Sequence, residues 1–260
     1  VLDFTQYLAG PAATRLLTEF GADIIKLERA PGGDLGRRIH HVATEVSALN
    51  LAANAGKRSV AVDFSKPEGR ELVLDLVRQS DVVIENFSPG VMAKYGLDYA
   101  SLKALNPALV MCSISGFGQE GPYSQFTSFD IIAQAQSGVM AMTGEPDGPP
   151  QYVGDYIGDP NAGVHAAYAI AAALFHRLRT GEGQYIDVSQ LEALTYLDYI
   201  NIPLNMMSGG RIQPTRFGGD FWSICPYGTY KSKEGYVVLA VAEHQWPALV
   251  RAMGREDLIT

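Results

Sequence analysis

The chain has 260 residues, 47% hydrophobic and 18% charged, which is globular make-up and excludes a disordered or coiled-coil chain. A net charge of −8 argues against a nucleic-acid surface, while leaving room for a local basic pocket. Two distant cysteines, Cys112 and Cys225, offer neither zinc spacing nor a disulfide framework, and they suit a reducing compartment.

In chain order, residues 1–5 read as a strand, followed by Gly10-Pro11 and a helical pattern over 12–20. Gly21 stops that helix, and residues 23–28 read as the next strand, completing a βαβ unit. The rhythm repeats with a strand at 59–64, a helix at 67–79 entered through Pro67, and a strand at 82–85. A helix over 99–105 and a buried-type strand over 109–115 follow, and the alternation predicts a doubly wound α/β layer.

Residues 128–142 read as one helix and 144–158 as a loop. A long helix over 160–179 then carries Val164, Ala167, Ala171, Leu174 and Leu178 as its apolar stripe. A strand over 184–188 feeds a helix from Ser189. The Gly, Arg, Gln and Pro content of 207–219 marks a linker, and 228–233 with 235–241 reads as a hairpin opening a second domain. The expected division is a large domain over 1–205, a linker over 206–220 and the start of a small domain over 221–260. Val1 falls inside a strand-like segment and Thr260 follows a helix-like one, so both ends are expected to be cut. The sequence has no apolar run of bilayer length, and its first residues lack the basic-then-apolar order of a signal peptide.

A phosphate loop, a G-x-G-x-x-G turn after the first strand, an H-x-x-x-H pair and a G-x-S-x-G elbow are all missing, so nucleotide, dinucleotide, zincin and α/β-hydrolase readings lack their fingerprints. The chemistry-bearing residues stand at strand ends and turns, where open α/β sheets bind ligands. They are Gln6 to Pro11, Glu28 to Asp34, Glu85 to Gly90 and Ile157 to Gly163. Arg29, Arg37, Arg38, Lys57 and Arg58 stand near two of these turns, either to meet phosphates or as solvated surface charge. Asp159, followed by Pro160, fits a helix N-cap. It equally fits a carboxylate nucleophile aimed by the helix terminus, with Gly158 leaving space for a substrate.

Read together, four blocks resemble the family III CoA-transferases of the CaiB/BaiF type. They are VLDFTQYLAGPAATRLLTEFGADIIKLERAPGGD, NAGKRSVAVDFSKPEGRELVLDLVRQSDVVIENFSPGVMAKYGLDY, GFGQEGPYSQFTSFDIIAQAQSGVMAMTGEPDGPP and GDPNAGVHAAYAIAAAL. The resemblance implies a Rossmann-like domain with a smaller α+β second domain, in a homodimer of interlinked subunits. It implies transfer of CoA from an acyl-CoA donor to a carboxylic acid, with CoA as substrate and no tightly bound cofactor or metal. Nucleic acid and membrane are not expected partners. The expected compartment is the cytoplasm, or the mitochondrion or peroxisome in a eukaryote.

In that resemblance Asp159 stands where the family has its nucleophile, forming a mixed anhydride and then an aspartyl thioester. Tyr7, Leu8 and Ala9 match the turn beside CoA, and Arg29 matches a basic residue near its nucleotide end. Asn86 and Phe87 match the N-F pair along CoA, and Lys94 replaces an arginine found in many members, keeping charge without the bidentate fork. Gln6 replaces a histidine of some members. Asp130 is a helper acid near the CoA thiol or a structural acid. Related racemases carry a histidine where Phe129 stands, and phenylalanine transfers no proton, so racemase or epimerase chemistry is the alternative, beside an inactive CoA-binding subunit. Gly218-Gly219 is the loose counterpart of a glycine-rich loop, serving as a lid or as a linker turn. Tyr123, Gln136, Met140, Tyr152 and Tyr156 are candidates to shape the acid pocket or are core.

Overall fold

The computed structural model describes residues 1–39 and 46–259. In chain order the first elements are β1 (Leu2–Asp3), α1 (Ala9–Glu19), β2 (Ile25–Arg29), α2 (Ala48–Asn54), β3 (Arg58–Val62), α3 (Pro67–Arg78) and β4 (Val82–Glu85). Next come α4 (Val91–Lys94), α5 (Tyr99–Leu105), β5 (Val110–Ser115), α6 (Asp130–Gln136), α7 (Val139–Met142), α8 (Gly158–Thr180), β6 (Tyr185–Ser189) and α9 (Gln190–Leu197). The last are α10 (Asn201–Met207), β7 (Asp220–Phe221), β8 (Ile224–Ser232), β9 (Gly235–Ala240) and α11 (Trp246–Ala252).

The chain divides into two compact units, the first formed by Val1–Gly138 with Val153–Tyr199, the second by Val139–Tyr152 with the chain from Ile200 onward. Residues 139–152 and 200–205 thus group with the second unit, where the sequence reading had put them in the first. The first unit holds a parallel sheet in the order β3-β2-β1-β4-β5-β6. That order reverses between β1 and β4, and the crevice beyond the carboxyl ends of the strands at such a point is where open α/β sheets bind ligands. The second unit holds the antiparallel sheet β7-β8-β9, with Tyr227 opposite Ala240 and Ser232 opposite Gly235.

Strand side chains alternate between two apolar layers, as a period of two requires. Val82, Ile84, Val110, Cys112 and Ile114 pack with α1 and α8, while Val83, Leu109 and Met111 pack with Val73, Val77 and Leu102 on the other face. Against α1, α8 presents Ala162, Gly163, Ala166 and Ile170. A Cβ on Gly163 would stand 2.8 Å from the Ala9 carbonyl oxygen and 3.0 Å from Ala12 Cβ, so the absent side chain sets the helix spacing.

Three local expectations change. The apolar stripe on α8 is misphased, since Val164 is 51% and Leu178 is 83% exposed while the alanine and glycine face is buried. Residues 128–142 form two helices, broken at Ser137-Gly138 where Gly138 takes φ 89°. Helix α1 starts at Ala9, because Pro11 lies in the first turn, where a missing N–H removes no helical bond.

Candidate active site

Asp159 is not the cap of α8. Ile157 holds that position without a side-chain bond, and Asp159 lies in the first turn, half-buried. Its backbone N–H donates to Asp130 Oδ2 at 2.9 Å, so one of the unpaired N–H groups of the helix start is taken by a second carboxylate. Asp130, the first residue of α6, is 3% exposed, and its Oδ1 accepts from Gln134 Nε2 at 2.5 Å. Gln134 Nε2 also donates to the Asp155 carbonyl at 3.1 Å, and its Oε1 accepts from the Val153 N–H at 3.3 Å. Asp130 is therefore a held acid that positions the start of α8.

The Asp159 carboxylate has a different partner. Gln190 Nε2 donates to Asp159 Oδ1. Burial, then the nearby Asp130 charge, push the Asp159 carboxyl up to about 7, and the Gln190 bond opposes them. The space beside Gly158 is not open to a substrate. A Cβ there would lie 3.2 Å from Asp130 Oδ2, 3.3 Å from Leu194 and 3.5 Å from Ala133, so Gly158 serves internal packing. Phe129 caps α6 with its ring 64% exposed.

Of the expected CoA residues, Tyr7 to Ala9 follow β1 and Asn86 and Phe87 follow β4, on either side of the switch point, while Arg29 ends β2 and Lys94 ends α4. The Gln6 N–H donates to Asn86 Oδ1 at 2.8 Å and Asn86 Nδ2 donates back to the Gln6 carbonyl at 2.8 Å. Beside this bracket lies a cleft of about 490 Å³, walled by Gln6, Arg29, Arg38, Phe64, Phe87 and Tyr95 among others. Arg29 and Phe87 line it directly. Lys94 sits outside that wall with Nζ 5.7 Å over the Tyr95 ring. Tyr7, Leu8 and Ala9 form the turn into α1, and Tyr7 takes φ 64°, rare for a residue with a Cβ. Asp34 Oδ1 fixes that turn, accepting from the Tyr7 N–H at 3.0 Å and the Gly36 N–H at 2.7 Å. Ala9 then abuts Gly163 of α8, one helical turn from Asp159.

Of the expected basic cluster, only Arg29 and Arg38 line the cleft. Arg37 pairs with Glu28 at 2.6 Å and, with Ser59 and the Asp34 N–H, holds that carboxyl at about 2 against its burial. Arg58 pairs with Asp23. Lys57 is buried, with Nζ 3.2 Å from Asp3 Oδ2, 2.8 Å from Asn54 Oδ1 and 3.0 Å from the Pro11 carbonyl. Lys26 is likewise buried, bonding the Thr5 carbonyl at 2.6 Å and lying 2.9 Å from Asp34 Oδ2. Lys26 and Lys57 brace the turn after β1 through the Thr5 and Pro11 carbonyls.

Gly218-Gly219 lies in the second unit, Gly218 donating to the Gly144 carbonyl at 3.0 Å ahead of β7. Of the acid-pocket candidates, Tyr123, Gln136 and Tyr156 belong to the first unit, Met140 and Tyr152 to the second. Gln190 and Gln134 are not singled out by the sequence, and Asp34 is named there only as the end of the turn after β2. Gln190 had a usable signal, following Ser189 at a strand-to-helix turn on the ligand-binding edge of the sheet. Among the described residues no group of three or more His, Cys, Asp or Glu is placed to hold a metal ion, and no helix is long and apolar enough to cross a membrane.

A sheet with this switch point, a cleft lined by Arg29 and Arg38, and a part-buried carboxylate at the start of α8 place the chain in the α/β class, with its polar groups at the ligand-binding edge of the sheet. The chain belongs to CoA-transferase family III, whose sequence profile matches residues 1–260. It is 43% identical to a succinate–glutarate CoA-transferase of Agrobacterium fabrum, over 98% of this chain and 65% of that protein. It is 41% identical to a succinyl-CoA:mesaconate CoA-transferase of Haloarcula hispanica, over 99% of this chain and 67% of the relative. The chain thus spans about two thirds of the length of these relatives. Among solved structures, a CaiB/BaiF family protein from Brucella suis superposes with a TM-score of 0.88 at 40% identity, over 99% of this chain and 69% of that one.

Proposed function

We propose that this protein transfers CoA from an acyl-CoA donor to a carboxylic acid acceptor, with Asp159 as the covalent nucleophile. The observation that carries the reading is the Asp159 carboxylate in the first turn of α8, held by Gln190 on one oxygen and by the Asp130 contact at its backbone. A carboxylate suits this exchange because the thioester, the anhydride and the aspartyl thioester are all activated acyl groups, so no step crosses a large energy gap. Burial and Asp130 raise the basicity of Asp159 and with it the nucleophilicity of the ionised form.

CoA is proposed to lie along Tyr7 to Ala9, Asn86 and Phe87, with Arg29 near its phosphates and Lys94 at the rim. The bracketed turn supplies a fixed wall and the cleft supplies aromatic and basic groups. Phe129 carries no exchangeable proton, which speaks against racemisation. The relatives named above act on succinate, glutarate and mesaconate or their thioesters, so short dicarboxylates are the first acids to try. Following the family resemblance, we also propose a homodimer in a reducing compartment, the first of which light scattering checks.

The test is a panel of acyl-CoA donors against carboxylate acceptors, with mass-shift trapping of an adduct on Asp159. Asp159→Asn is expected to abolish the adduct and lower turnover by about 10³-fold or more. Full activity in that variant defeats the proposal.

A further inference from the structure

Gln190 does more than hold a nucleophile still. Strand β6 ends at Ser189, whose Oγ accepts the Glu192 N–H at 3.0 Å, so Gln190 is fixed as the first residue of α9 and is 6% exposed. Its Oε1 lies 3.3 Å from Ser128 Oγ. Ser128 can stand there because Gly116 has no side chain, a Cβ at that position falling 2.1 Å from Ser128 Cβ. The Gly116 carbonyl also accepts the Leu191 N–H at 3.1 Å, so one residue sets both partners. An amide has one accepting end and one donating end. An ionised carboxylate only accepts, so the N–H₂ end is the one turned to Asp159 Oδ1, and Oε1 is left to the Ser128 hydroxyl, which also lies 3.3 Å from the Phe129 carbonyl. Among the described residues, no hydrogen bond is made to Asp159 Oδ2.

We propose that Gln190 gives the two Asp159 oxygens separate roles: Oδ2 is the nucleophile, exchanged in every turnover, and Oδ1 is the permanent carbonyl oxygen whose negative charge Gln190 stabilises. The inference rests on the reading of Asp159 as nucleophile. Oδ2 adds to the thioester carbon of the donor, the C–S bond breaks and CoA leaves as thiolate. The thiolate adds to Asp159 Cγ, placing an oxyanion on Oδ1 against the Gln190 N–H. Collapse breaks the Cγ–Oδ2 bond, and the donor acid departs with that oxygen. An acceptor carboxylate oxygen then adds to Cγ, the charge again falls on Oδ1, and the Cγ–S bond breaks to give a second anhydride. Thiolate attack on the acceptor acyl carbon breaks its bond to the bridging oxygen, which remains on Asp159 as the new Oδ2. No proton or redox equivalent is consumed. In the first step the oxyanion forms on the donor carbonyl, away from Gln190, so a Gln190 defect falls on the steps at Cγ.

The experiment uses the full-length protein, unlabelled donor and acceptor with both carboxylate oxygens as oxygen-18, the acid pair being the fastest of the panel, with succinyl-CoA and glutarate as first probe. After many turnovers the wild type is expected to carry one labelled oxygen on Asp159 and no more. Gln190→Leu is expected to lower kcat by about 10²–10³-fold, the usual effect of removing one oxyanion donor, to accumulate adduct on Asp159 and to label both oxygens. Ser128→Ala, which leaves Gln190 in place but removes the hydroxyl behind its Oε1, is expected to build up the same adduct to a smaller extent with an unchanged Tm. Both oxygens labelled in the wild type, or adduct levels unchanged in both variants, overturns the role of Gln190 and leaves the nucleophile standing. Turnover without any label on Asp159 overturns the nucleophile itself, as does a panel with no turnover at all.

Discussion

Asp159 is a carboxyl displaced to about 7 from an ordinary 3.8 by burial and by Asp130. With Asp159 as the proposed nucleophile, only its ionised form attacks, so kcat/KM for the donor is expected to climb as pH rises through about 7 and to fall about 100-fold from its plateau by pH 5. A profile flat to pH 5 contradicts this. The same displacement has a stability consequence of opposite sign. A carboxyl whose folded value is raised contributes stability that is complete below its unfolded value and lost as pH rises through the folded one. Asp159→Asn is therefore expected to be more stable than wild type at pH 8, by on the order of 1–2 kcal/mol after allowance for solvent screening, with the gap closing below about pH 4. Urea melts at the two pH values check it. Lys57 is the converse case. Its side chain is 1% exposed, with Nζ 3.2 Å from Asp3 Oδ2. Lys57→Met removes the charge facing buried Asp3, leaving it the Thr5 and Thr14 hydrogen bonds, and is expected to cost about 3 kcal/mol in the same melts.

At the scale of elements, the helix pair α1–α8 decides where Asp159 stands. Gly163→Ala puts a methyl 2.8 Å from the Ala9 carbonyl, and the two helices must part by a few tenths of an ångström. The expected cost is about 1–3 kcal/mol, with a rise in KM for the donor, because the turn proposed to meet CoA and the proposed nucleophile ride on the two partners. Calorimetry with steady-state kinetics tests both. The same pair shows why the sequence was partly legible. Strands β4 and β5 were plain as short apolar runs between turn signals, and α3 from Pro67 and its period. The phase of α8 was misread because its buried face is Ala and Gly, chosen for close approach, while larger apolar residues such as Leu178 and Tyr168 face outward. Asp159 and Asp130 are legible as candidates through the ordered motifs. Gln190 is not, because its contacts involve Ser128 and Gly116, distant in sequence and joined only by folding.

At the scale of the whole molecule, the two units differ in what they bury. Among the described residues, the first contains nearly all the fully buried apolar side chains, whereas the second contributes Val250. Tyr236 and Val238 on β9 are 73% and 76% exposed. Local stability follows buried apolar area, so amide exchange in this 260-residue chain is expected to be fast through β8–β9 and slow in β4–β5. Equal protection of the two sheets contradicts that.

The Gln6–Asn86 bracket joins the ends of β1 and β4, the strands on either side of the switch in sheet order. The Gln6 backbone and the Asn86 side-chain amide bond each other twice and Asp34 pins the next residue, so the wall proposed for CoA is held in shape before a ligand arrives. Docking against it should be a single encounter. Stopped-flow traces of CoA binding are expected to show one exponential whose rate rises linearly with concentration, without the plateau that a slow rearrangement of this wall would impose.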